Sequence, residues 1–118
     1  MVDDARDVTE RVELDAAVAQ DVQATFCATL VDQWLDRGVR HAVVAPGSRS
    51  TPLALAVAER SEFAVHVVHD ERVAGFVALG LAVDTDVPAL LLCTSGTAAA
   101  NFLPAVAEAN LSAVPMIV

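Results

Sequence analysis

The 118-residue sequence predicts an α/β domain: a parallel sheet with helices on both faces. Three observations carry this. Short runs rich in Val, Leu and Ala recur at His41–Ala45, Phe63–Val68, Ala89–Cys93 and Val114–Val118, each a strand length. Helix-length segments separate them, with Gly, Pro, Asp and Asn at the junctions. The runs are close to continuous in apolar residues instead of alternating, as expected of strands covered on both sides. Right-handed crossovers then connect successive strands.

Residues 1–15 hold six acidic residues and two arginines with few large apolar groups, and are expected to form an acidic, mobile tail. The domain proper is expected over residues 16–118. A helix is predicted from about Ala16 to Arg37. Val22, Phe26, Leu30 and Trp34 recur every four residues beside Cys27, Val31 and Leu35, one apolar stripe that Gly38 ends. After the His41–Ala45 strand, Pro46 and Gly47 turn the chain. Thr51 is the expected N-cap of an alanine-rich helix over Pro52–Arg60, with Pro52 at a position where its missing N–H costs nothing. A helix over Glu71–Val83 follows the second strand, and a helix over Ala98–Asn110 follows the third. The run at Val114–Val118 opens a fourth strand, which makes the chain an expected N-terminal piece of a longer protein.

Composition removes several function classes. The formal net charge is −9, and all seven basic residues are arginine. An acidic chain without a basic stripe does not fit nucleic acid or an anionic membrane surface. With no lysine there is no P-loop lysine, Schiff base or Ser-Lys pair. Cys27 and Cys93 sit singly in apolar patterns and read as small buried thiols. The three histidines show no metal-ligand spacing, so no metal site is expected within the chain. The acidic N-terminus lacks the layout of a signal peptide and no apolar run has membrane-spanning length, which points to the cytoplasm.

In a parallel sheet every strand-to-helix junction lies on one edge, where ligands bind near a switch in strand order. Three junctions fall there: Pro46–Thr51, His69–Arg72 and Thr94–Thr97. In the first, Ser48, Arg49, Ser50 and Thr51 read either as a capped helix with an exposed arginine or as a cradle for a carboxylate or phosphate. In the second, Asp70 fits an N-cap and Glu71 the helix dipole. Val73, Ala74, Phe76 and Val77 follow at once, so Glu71 is also a candidate for a desolvated carboxylate able to hold or pass a proton. In the third, Thr94, Ser95, Gly96 and Thr97 lead into Ala98-Ala99-Ala100, with Asn101 one turn along. Tight packing on the sheet and close approach of a ligand or another subunit explain it equally.

Ala45-Pro46-Gly47-Ser48-Arg49-Ser50 comes first. Asp70-Glu71-Arg72 follows, with Ala74-Gly75-Phe76 and Leu79-Gly80-Leu81-Ala82 behind it. Thr94-Ser95-Gly96-Thr97-Ala98 with Asn101 completes the series. In this order and spacing, from about Val22 to Val118, the sequence resembles the N-terminal, pyrimidine-binding domain of the SEPHCHC synthase family. These are thiamine-diphosphate-dependent transferases of menaquinone biosynthesis. The resemblance implies decarboxylation of 2-oxoglutarate and 1,4-addition of the succinyl-semialdehyde unit to isochorismate. It assigns Glu71 as the catalytic residue, hydrogen-bonded to a ring nitrogen of the cofactor's aminopyrimidine so that the thiazolium C2 proton can be removed. It assigns Thr94, Ser95, Gly96 and Asn101, with Glu71, to the cofactor, and Ser48 and Arg49 to the substrate. It further implies a homo-oligomer, dimeric or tetrameric, with the cofactor between two subunits. The diphosphate and Mg²⁺ would then be held by a C-terminal domain through a Gly-Asp-Gly motif that this sequence lacks, so the isolated chain is expected to be inactive. Two alternatives share parts of the pattern: an acetolactate-synthase-like or 2-oxoacid decarboxylase domain, and a non-catalytic flavodoxin-like phosphate-binding module.

Overall fold

The computed structural model describes the backbone from Asp4 to Val118 and the side chains of Glu13 and of residues 17–118. The chain runs α1 (Asp4–Asp36), β1 (His41–Val44), a 3₁₀ turn (Ser48–Ser50) leading into α2 (Thr51–Ala58), then β2 (Ala64–Val67) and α3 (Glu71–Thr85). It continues through β3 (Ala89–Leu92), α4 (Thr97–Ala100), α5 (Leu103–Leu111) and β4 (Met116–Ile117). Among the described residues the strands form one parallel sheet in the order β2-β1-β3-β4.

Register decides which side chains meet. Ala42 pairs with Val65 and Leu90, and Val43 with His66 and Leu91. Successive side chains point to opposite faces. Ala42 and Leu90 therefore bury against Cys27 and Val31 of α1 and Ala56 and Val57 of α2. Val43 and Leu91 bury on the other face, against Ala74, Ala78 and Ala82 of α3 and Phe102. Leu90, Leu91, Val31, Val43 and Val57 are fully buried, each contributing about 1.5–3 kcal/mol of transfer free energy. On the second face α3 and α5 approach closely: a Cβ on Gly75 would stand 2.8 Å from Ala105 Cβ.

Several boundaries differ from the sequence expectation, for identifiable reasons. The backbone is helical from Asp4, so α1 begins well before Ala16. Of the expected mobile tail, Met1–Asp3 lie outside the described residues. Within α1 the expected stripe is only partly buried: Cys27 and Val31 reach the core, whereas Val22 and Phe26 are 65% and 66% exposed. Cys27, next to Phe26, is buried, so Phe26 lies on a different face of the helix from the one packed on the core.

The helix expected over Ala98–Asn110 is two helices. Pro104 has no N–H to bond the Ala100 carbonyl, so α4 ends at Ala100 and α5 restarts at Leu103. Thr51 is the first residue of α2 and not its N-cap. Ser50 holds that position, its hydroxyl donating to the Gly47 carbonyl at 3.0 Å. Finally, β2 is an edge strand and not doubly covered, with Val65 and Val67 exposed. Gly38 ends α1 as expected, at φ +89°. Among the described residues no helix is long and apolar enough to cross a membrane.

Candidate active site

The strand order creates the site. From β1 the chain steps outward to β2, then returns past β1 to β3, so the direction of winding reverses between β1 and β3. Loops leaving the carboxyl ends of these strands diverge there and open a crevice. The Pro46–Ser50 turn leaves β1 and the Cys93–Gly96 turn leaves β3, one on either side of the switch. Glu71 opens the helix that follows β2, on the other flank of β1.

The first and third junctions touch. The Arg49 backbone N–H donates to Thr94 Oγ1 at 3.4 Å. Gly47 packs directly on the Thr94 side chain; a Cβ there would stand 2.6 Å from Cγ2 and 2.8 Å from Oγ1, closer than real atoms approach. Gly47 is extended, at φ −175°, so it is the space beside Thr94, not the backbone angle, that requires glycine. Ser48 and Arg49 are exposed on the turn so held, while Ser50 is buried beneath it. Among the described residues Arg49 makes no ion pair. Ser48 also lines a groove of about 530 Å³ between α1 and α2, with Gln20, Gln23, Thr51 and Glu59.

At the second junction Asp70 is the N-cap, as expected, its Oδ1 accepting the Val73 N–H at 3.0 Å. Arg72 lies only 4.0 Å from Asp70 in an exposed pair worth little. Glu71 is half-buried on the first turn of α3, while Val73 and Phe76, two of the apolar residues expected to surround it, are about half exposed. Beneath this turn, Cys93 joins the Val43, Ala45 and Ala74 cluster. Burial pushes the Cys93 thiol above its usual value, and the negative charge of Glu71 adds to the effect. The carboxylate of the second junction is thus an electrostatic neighbour of the third.

The third junction is looser. Thr94 is half-buried, whereas Ser95, Gly96, Thr97 and Asn101 are exposed. No side chain caps α4, so the hydroxyls here stay free of that role. The Asn101 amide donates to the Thr97 carbonyl at 3.0 Å, back toward the loop. Of Ala98-Ala99-Ala100, Ala98 is buried while Ala99 and Ala100 are exposed, and α3 and α5 meet closely at Gly75 and Ala105. The sequence had given no signal for the Gly47–Thr94 contact or the Cys93–Glu71 proximity, because both depend on strand order.

Comparison with known proteins agrees with this architecture. A family model described as "Thiamine pyrophosphate enzyme, N-terminal TPP binding domain" matches residues 24–118. Three relatives bear the name 2-succinyl-5-enolpyruvyl-6-hydroxy-3-cyclohexene-1-carboxylate synthase. That of Listeria monocytogenes serotype 4b is 54% identical over 99 residues, 84% of this chain and 17% of the relative. That of Bacillus velezensis is 55% identical over 93 residues, 79% of this chain and 16% of the relative. That of Paenarthrobacter aurescens is 60% identical over 87 residues, 71% of this chain and 15% of the relative. The chain therefore spans about one sixth of the length of the curated relatives it matches. The family match covers all three junctions, and the chain belongs to the thiamine pyrophosphate enzyme family as its N-terminal TPP-binding domain.

Proposed function

We propose that this chain supplies the pyrimidine side of a thiamine-diphosphate site in a cytoplasmic SEPHCHC synthase, which decarboxylates 2-oxoglutarate and adds the resulting four-carbon unit to isochorismate. The observation that carries the proposal is Glu71: a half-buried carboxylate on a helix first turn, one strand from the switch crevice and electrostatically coupled to Cys93. The donor set fits an aminopyrimidine. Such a ring offers nitrogen acceptors and an amine, and the same sheet edge carries the Glu71 carboxylate, the hydroxyls of Thr94 and Ser95 and the Asn101 amide.

When bound, thiamine diphosphate supplies the electron sink that lets a 2-oxo acid lose carbon dioxide. Glu71 has the protein's part in that chemistry: its carboxyl oxygen holds a proton against a ring nitrogen. Ser48 and Arg49 orient the substrate. A guanidinium with no partner among the described residues is matched to a carboxylate, which both 2-oxoglutarate and isochorismate carry. Gly96, at φ +81°, has open space where a side chain would stand. Mg²⁺ and the diphosphate fall to residues outside this chain, and a second subunit closes the site, so a homo-oligomer is the working form.

The test is Glu71→Gln in a full-length synthase carrying this domain. It removes the transferable proton at nearly constant shape. A fall in kcat of about 100-fold or more is expected, with the circular dichroism of the folded protein unchanged. A variant that keeps the wild-type rate overturns the assignment. The 118-residue chain alone is expected to show no turnover with 2-oxoglutarate, isochorismate, thiamine diphosphate and Mg²⁺.

A further inference from the structure

Away from the candidate active site, two histidines from adjacent strands meet. His41 opens β1, at the strand end remote from the three junctions, and His66 lies in β2. His66 is in register with Val43 and His41 with Ala64. Residues 41 and 43 share a strand face, so both imidazoles lie on the α3 side of the sheet. His41 Nδ1 stands 3.2 Å from His66 Nε2, and the rings stack with centroids 5.5 Å apart. Both are half-buried, and β2 is the open edge of the sheet.

We propose that His41 and His66 form a two-imidazole site for a first-row transition-metal dication of the Zn²⁺ type. The spacing of the hydrogen-bonded pair also accommodates a metal. Two nitrogens bound to one Zn²⁺ at about 2.0–2.1 Å with a tetrahedral angle stand about 3.3–3.4 Å apart, and the observed separation is 3.2 Å. Among the described residues no third His, Cys, Asp or Glu converges there, so water from the open edge completes the coordination. Imidazole suits Zn²⁺, Ni²⁺ and Cu²⁺, whereas Mg²⁺ and Ca²⁺ prefer oxygen and are rejected.

In the metal-free pair one hydrogen bridges the two facing nitrogens. Metal uptake moves that hydrogen to the other nitrogen of the same ring, so both facing lone pairs are free and the neutral pair releases no net proton. The bound ion ties β1 to the edge strand that leads into Glu71.

The experiment titrates the 118-residue chain with Zn²⁺ at pH 7.5 and 0.15 M salt by calorimetry, with a thermal melt at each point. One-to-one uptake and a rise in melting temperature are expected. His41→Asn and His66→Asn should each weaken binding by about tenfold or more, and His69→Asn, at the exposed third histidine, should not. The thiols and the acidic residues are common to every variant, so the differences read the pair. If a variant fails to fold, histidine ring ¹H–¹⁵N spectra of the wild type decide: His41 Nδ1 and His66 Nε2 should shift together while His69 stays still. No saturable uptake, equal uptake in His66→Asn and wild type, or ring shifts confined to His69 would each overturn the proposal.

Discussion

Replacing Gly47 by Ala tests the contact that joins the first and third junctions. The new methyl would stand 2.6 Å from Thr94 Cγ2 and 2.8 Å from Oγ1, and nearer still to Thr94 Cβ. Rotating the threonine cannot relieve the clash, because Cβ is fixed by the backbone. One of the two turns must retreat by roughly 1 Å to restore ordinary contact. Overpacking of this kind costs about 1–3 kcal/mol. A domain of this size loses about 4 °C of melting temperature per kcal/mol, so a fall of about 4–12 °C is expected in a calorimetric melt.

The partner substitution sharpens the test. Thr94→Ala leaves the nearest atom in place and should rescue little, whereas Thr94→Gly removes all three obstructing atoms. A double-mutant cycle of Gly47→Ala with Thr94→Gly should show favourable coupling on the order of 1–2 kcal/mol. If Gly47→Ala melts within about 2 °C of the wild type, or the cycle is additive within about 0.5 kcal/mol, the two turns are not locked as described.

Two further predictions concern charge. Cys93 should react slowly with a thiol reagent at pH 8, because burial first and Glu71 second keep it protonated; Glu71→Gln should speed the reaction, and a pH–rate profile indifferent to that change would deny the proximity. Arg60 Nε donates to Asp32 Oδ1 at 2.9 Å, and this hydrogen bond lowers the Asp32 carboxyl below its usual value. A lowered folded-state value gives stability that is present above the unfolded value, about 3.9, and is lost as pH falls through the folded one. Asp32→Asn should therefore cost about a degree of melting temperature at pH 7 and nothing in strong acid, less at high salt; an equal deficit at both pH values would contradict the pairing.

The strands and their shared polar edge were legible in the sequence because both are local properties. Apolar runs of strand length, and hydroxyls or acids next to a helix start, need only neighbours in the chain to be recognised. Pro104 was equally visible, and its effect on the last helix pair could have been anticipated from the missing N–H alone. What was not legible depended on contacts between distant segments. The periodicity of Val22, Phe26, Leu30 and Trp34 identifies an apolar helix face, but not that the core takes the neighbouring line of Cys27 and Val31. Composition marks Val65 and Val67 as strand residues, but only the order β2-β1-β3-β4 makes them an edge. The same order puts Gly47 against Thr94, and His41 beside His66.

That order also has a bearing on how the domain folds. His41 pairs with Ala64, about two dozen residues along, whereas Ala42 pairs with Leu90 at roughly twice that separation. Doubling a closed loop costs only about 0.6 kcal/mol in chain entropy. The β1–β3 seam is therefore almost as inexpensive at equilibrium as the β1–β2 seam, yet it raises the contact order that slows folding. The crevice between β1 and β3 lies on this longer-range seam, so the edge that carries the candidate site adds to the contact order with little lost in final stability.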